Sequence, residues 1–94
     1  MPKKTIGTSA VAIGSGTVNK LVTVLADDDN TNPIWIGYAN TVTAGTDDTL
    51  DGMKLSPGKS YTIPVEKLNR QSPNLSNIFG ISDAADQLLY IDTL

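Results

Sequence analysis

The stretch Asn32-Pro33-Ile34-Trp35-Ile36-Gly37-Tyr38-Ala39-Asn40-Thr41-Val42 decides the fold. It holds the only Trp of the chain and one of its three Tyr. In a strand Ile34, Ile36 and Tyr38 point one way, and Trp35, Gly37 and Ala39 point the other. Apolar content on both faces marks a central strand. Pro33 at its start removes one ladder donor without breaking the run.

Upstream, residues 17–26 read as a second strand. Val18, Val22, Val24 and Ala26 share one face, interrupted by Lys20, while Leu21 and Leu25 lie opposite with Thr23 between them. The polar loop Asp27-Asp28-Asp29-Asn30-Thr31-Asn32 joins the two, because Asp and Asn satisfy nearby backbone groups and tolerate left-handed conformations. Before this pair, residues 8–13 alternate weakly, and Gly14-Ser15-Gly16 closes them as a turn. Residues 1–7 read as a short, flexible basic arm carrying Lys3 and Lys4.

Downstream, residues 43–51 form a second acidic, turn-rich segment, and Met53-Lys54-Leu55 reads as a short strand. Ser56-Pro57-Gly58-Lys59 is a tight turn. Tyr61, Ile63 and Val65 then alternate with Thr62 and Pro64, and Pro64 places this strand at an edge or at a bulge. Residues 66–76 read as a crossing between two sheets with a short 3-10 turn. Residues 75–82 and 87–94 read as a final pair joined by Asp83-Ala84-Ala85-Asp86. The last strand carries Leu88, Tyr90 and Leu94 against Leu89 and Ile91. Six to seven short strands at this spacing predict an all-β, antiparallel β-sandwich, a single domain over residues 8–94.

The totals bound what such a domain does. Ninety-four residues make one domain with a modest core, and the absence of Cys removes disulfides and thiolate ligands. A net charge of −3 argues against a general nucleic-acid binder, which carries a basic stripe. No apolar run reaches the roughly 20 residues of a membrane span, and the N-terminal residues lack an export signal. There is no His, so the commonest general base is missing and no Ser has its usual activator. Catalysis is not expected, nor is a cofactor.

Two carboxylate clusters, Asp27-Asp28-Asp29 and Asp47, Asp48 and Asp51, offer hard oxygen ligands. Their spacing fails the EF-hand pattern, so solvated turns are the expected reading and no metal is expected. Asn74-Leu75-Ser76 matches a glycosylation acceptor, a chance match in a chain without an export signal. Trp35, Tyr38, Tyr61 and Tyr90 suggest a sugar-stacking platform, but strand aromatics belong more often to a core or an interface. Trp35 and Tyr38 also fall on opposite faces, so one flat platform cannot use both.

The motifs in order are a strand ending in Asp, Ile34-Trp35-Ile36-Gly37, Val42-Thr43, Leu55-Ser56-Pro57-Gly58-Lys59-Ser60-Tyr61-Thr62-Ile63 and Ile78-Phe79-Gly80-Ile81-Ser82. This order resembles the small β-sandwich virion proteins of tailed bacteriophages, over roughly residues 19–94. The insert at residues 43–52 departs from the family pattern. The resemblance implies a virion structural role without catalysis, as a head decoration (cement) protein on the major capsid protein or as a fibre-base protein. A tail or fibre module that binds a host glycan is the alternative, and an assembly factor absent from the particle is a third. Under the first reading the expected partner contacts are Lys3, Lys4, Asn30 and Thr46. The apolar last strand further predicts a homo-oligomer, a trimer first, with Leu89, Ile91 or Leu94 at the subunit contact. A place for that strand in the middle of a monomer's sheet is the competing explanation.

Overall fold

Alternation in the sequence becomes two stacked sheets in the computed structural model, which describes residues 3–38, 42, 53–65 and 74–93. Its strands are β1 (Lys3–Ile6), β2 (Val11–Ala12), β3 (Leu21–Ala26), β4 (Ile34–Gly37), β5 (Met53–Leu55), β6 (Ser60–Pro64), β7 (Phe79–Ser82) and β8 (Gln87–Thr93). One four-stranded sheet has the order β1-β8-β3-β6 and the other β2-β7-β4-β5. Every pairing among the described strands is antiparallel. The chain is an all-β sandwich.

The core lies between the sheets, and the period of two decides who enters it. In β3, Val22, Val24 and Ala26 are buried while Leu21, Thr23 and Leu25 are half-buried on the outer face. Ile63 of β6 pairs with Val22 and is fully buried, which contributes about 1.5–3 kcal/mol over leaving it in water. β4 is central, between β7 and β5, and all four of its residues are buried. Ile34 and Ile36 join the main core, whereas Trp35 turns outward into a second, smaller cluster with Val42 and Ile81. Gly80 in β7 is a point of close approach: a Cβ there would sit 3.1 Å from Ile6 Cδ1.

Pro64 sits in β6, an edge strand, where a missing N–H costs no ladder bond on the solvent side. The 3-10 turn Leu75–Asn77 is capped by Asn74, whose side chain accepts from the Ser76 N–H at 2.9 Å and from the Gly16 N–H at 3.1 Å. The amide oxygen of that sequon therefore holds two loops together.

Three expectations are corrected. Lys3–Ile6 is not a loose arm but strand β1, paired with β8 in the register Lys3↔Tyr90 to Ile6↔Gln87, and Ile6 is fully buried. The single apolar residue among polar ones gives little signal locally, yet Ile6 anchors the whole segment. The last two strands do not form a hairpin. β7 belongs to one sheet and β8 to the other, so the turn at residues 83–86 carries the chain across the sandwich, with Asp86 at φ 62°. Finally, the short 3-10 turn expected within residues 66–76 falls at Leu75–Asn77, and the strand after it begins at Phe79 rather than at residue 75.

Candidate interaction surfaces

Polar side chains near the start of β8 hold the loops at one end of the sandwich. Gln87 occupies the inward phase of β8 together with Leu89 and Ile91, and it is buried. Its Oε1 accepts from the N–H groups of Thr31 and Asn32, both at 3.0 Å. Its Nε2 donates to the Ala85 carbonyl at 2.8 Å and to Thr31 Oγ1 at 3.3 Å. Asn30 completes the clamp: its Nδ2 donates to the Leu88 carbonyl at 2.9 Å, and its Oδ1 accepts from the Leu88 N–H at 2.8 Å. An amide placed this way acts as one extra strand residue beside Leu88. Asn30, one of the expected partner contacts, thus ties its own loop to β8. Gln87 went unnoticed in the sequence, although a polar residue in phase with Leu89 and Ile91 is a readable sign of a buried hydrogen-bond centre.

The carboxylate oxygens of Asp27, Asp28 and Asp29 lie within 4.8 Å of one another. Asp27 is tied down, its Oδ1 accepting the Asp29 N–H at 3.2 Å and its Oδ2 facing the Tyr90 hydroxyl at 3.5 Å. Asp28 and Asp29 are exposed. This is the geometry of an Asx turn. Asp47, Asp48 and Asp51 lie outside the described residues.

The aromatic residues are dispersed. Trp35 is 4% exposed and packs with Val42, Ile81, Ala10 and Phe79, so its ring offers no face to a ligand. Its Nε1 has no hydrogen-bond partner among the described residues. Tyr38 is 46% exposed, beside Tyr61. Burial of its hydroxyl, followed by the charge and hydrogen bond of Tyr61, pushes the Tyr38 phenol above its ordinary value.

Of the expected contact residues, Leu89 and Ile91 are corrected outright. β8 lies between β1 and β3, and both side chains are in the core, at 0% and 4% exposure. Their side chains serve the chain's own core, and the strand takes the mid-sheet place that was its competing explanation. Thr46 and Leu94 lie outside the described residues. Lys3 and Lys4 are exposed on edge strand β1. Both line a cleft of about 370 Å³ that opens between β1, the end of β8, the loop at residues 13–15 and Leu75. A comparison of the chain with protein-family models, curated proteins and solved structures finds no match to any of them.

Proposed function

We propose that the chain is a structural protein of a tailed-phage virion, a head decoration protein that attaches to the capsid shell and stabilises it. The observation that carries this reading is where the polar side chains go. Gln87, Asn30, Asn74 and Asp27 are each spent on holding the protein's own loops. What remains to act on another molecule is a small β-sandwich with exposed edges. The motifs behind the resemblance are framework in this body: Ile34–Gly37 is β4, and Pro57-Gly58 is the turn between β5 and β6. Gly58 there takes φ +82° against Asp28.

The mechanism is mass action. A protein that binds only the assembled shell stabilises it by RT ln(1 + [L]/Kd), and many weakly bound copies add up. The partner is the major capsid protein, and a homo-oligomer, a trimer first, belongs to the particle rather than to the interior of this fold. Copy number per purified virion tests the proposal. Hundreds of copies support a shell protein, a handful moves it to the tail, and none makes it an assembly factor.

Recognition of a host glycan is a second reading, favoured by exposed Tyr38 beside Tyr61. It no longer involves Trp35. A glycan-array signal that disappears in Tyr38→Ala supports this reading, and a blank array with the wild-type protein removes it.

A further inference from the structure

Strand β1 is held to the sandwich by one ladder and one side chain. It stands at the end of its sheet among the described residues, with β8 as its neighbour there. Lys3, Lys4 and Thr5 are exposed, and Ile6 alone is buried. Ile6 reaches across to the other sheet, into a socket that exists because position 80 is glycine. A Cβ on Gly80 would sit 3.1 Å from Ile6 Cδ1, with side-chain atoms of Ile13 and Ile36 at 3.6 Å. The next residue is pinned: the Gly7 carbonyl accepts the Ser82 N–H at 2.8 Å. β1 thus has a fixed point at one end, a single apolar knob beside it and a polar remainder.

The hydrogen bonds at Leu88 fix which backbone groups of β8 face β1. Asp27 N–H donates to the Leu88 carbonyl at 3.1 Å, and Leu88 N–H donates to Asn30 Oδ1 at 2.8 Å. Leu88 therefore turns both of its backbone groups to the β3 side, and by alternation Tyr90 turns its groups there too, opposite Leu25. Gln87 and Leu89 turn theirs to β1, where the register sets Ile6 and Lys4 opposite them. Facing residues of this kind exchange both N–H···O bonds. Successive amides of β8 are thus tied in alternation to β3, inside the sheet, and to β1, at its rim.

We propose that β1 is a detachable strap. It lifts from β8 as a unit, pivoting at Gly7, while the other strands stay folded, and the slot it leaves accepts an extended segment of a partner protein. Lifting β1 exposes one apolar side chain and one ladder. Separating β3 from β8 instead breaks up the main core, to which Val22, Val24, Ala26, Leu89 and Ile91 belong. The chemistry of the partner segment is that of β1, which already fills the slot. Its backbone pairs with Gln87 and Leu89, a β-branched apolar residue enters the socket at Gly80, and the residues before it are polar. In the isolated chain β1 keeps its place, because a short tether gives it an effective concentration on the order of millimolar. A partner segment displaces it by fitting the socket better or by being held close to it. The inference does not depend on the virion reading, since strap and slot follow from the fold alone.

The test is native-state amide hydrogen exchange of the full chain, read by NMR. The amides of Lys4, Ile6, Gln87 and Leu89 should exchange together, at least about a hundred-fold faster than those of Tyr90 and Leu25 once intrinsic rates are divided out. Ile63→Val, on β6 at the far edge of the sheet, should speed Tyr90 and Leu25 roughly two- to ten-fold and leave the β1 group at its own rate. The slot is tested in Ile6→Ala, or in Ile6→Val should the first fail to fold, with an acetylated, amidated peptide of residues 2–8. The peptide should slow the exchange of Gln87 and Leu89, and the same peptide with serine at the isoleucine position should not. One common rate for all these amides, or equal acceleration of both groups by Ile63→Val, overturns the strap. No slowing by the peptide, or equal slowing by its serine form, overturns the slot.

Discussion

Gln87 carries more of the fold than its size indicates. It is a buried polar side chain with four hydrogen bonds, and each bond reaches a loop rather than a strand. Replacing it by Ala leaves the N–H groups of Thr31 and Asn32 and the Ala85 carbonyl to find water in a partly closed space. Gln87→Ala should cost about 1–3 kcal/mol, seen as a lower denaturant midpoint with an unchanged slope. An unchanged midpoint would show that water takes over the clamp. Tyr38 makes a second test at this scale. Its phenol is raised above 10.0 by burial and by Tyr61. The unfolded chain, with the lower pKa, loses this proton first. The contribution of Tyr38 to stability is therefore complete below about pH 10 and is lost as the pH rises through the folded value. Tyrosinate absorbance should show a late-titrating component in the folded protein that is absent from Tyr38→Phe. A titration curve whose late part is unchanged by that substitution would contradict this.

The strands themselves were largely legible, because the alternation that makes a strand is local. β3, β4, β5 and β6 lie where their apolar residues place them, and Pro64 correctly marks an edge. Alternation says which face is buried but not which sheet a strand joins, so it cannot tell that β7 and β8 lie in different sheets. The neighbours of β8 are β1 and β3, both distant in sequence, and only the assembled sandwich brings them together. The same limit applied to Lys3–Ile6, where one buried Ile6 outweighs three exposed neighbours. The sequence around Asn30 marks a loop but carries no sign of its reach to Leu88, which is 58 positions away in the chain. At the element scale the assignment of β4 has a direct test. Ile36 is 5% exposed in the main core, so Ile36→Ala should cost about 2–5 kcal/mol. A midpoint equal to that of the wild type would refute the inward phase assigned to β4.

As a whole, the molecule closes its own core. β8 is covered on both edges over much of its length, and Leu89 and Ile91 are already buried without a second copy. The isolated chain should therefore sediment as a single protomer at all concentrations. A mass that grows with concentration would restore self-association in solution, with the contact sought on the outer faces and edges. The sheet edges bear separate devices: Lys3 and Lys4 on β1, Pro64 on β6, and very short strands at β2 and β5. These are the means by which natural sandwiches avoid indiscriminate edge pairing.

The position of the lone Trp has a consequence for how the protein can be observed. Trp35 lies outside the main core, in the small outer cluster that also contains Val42. Its emission therefore reports the outer layer of one sheet, while far-UV circular dichroism reports the backbone of both. Val42→Ala thins the cover over the indole without touching the inter-sheet packing. It should shift the emission to longer wavelength and leave the circular-dichroism spectrum as it was. The chain thus contains an optical gauge that reads one layer at a time. Coincidence of the two signals through unfolding would mean that the outer cluster and the main core melt together.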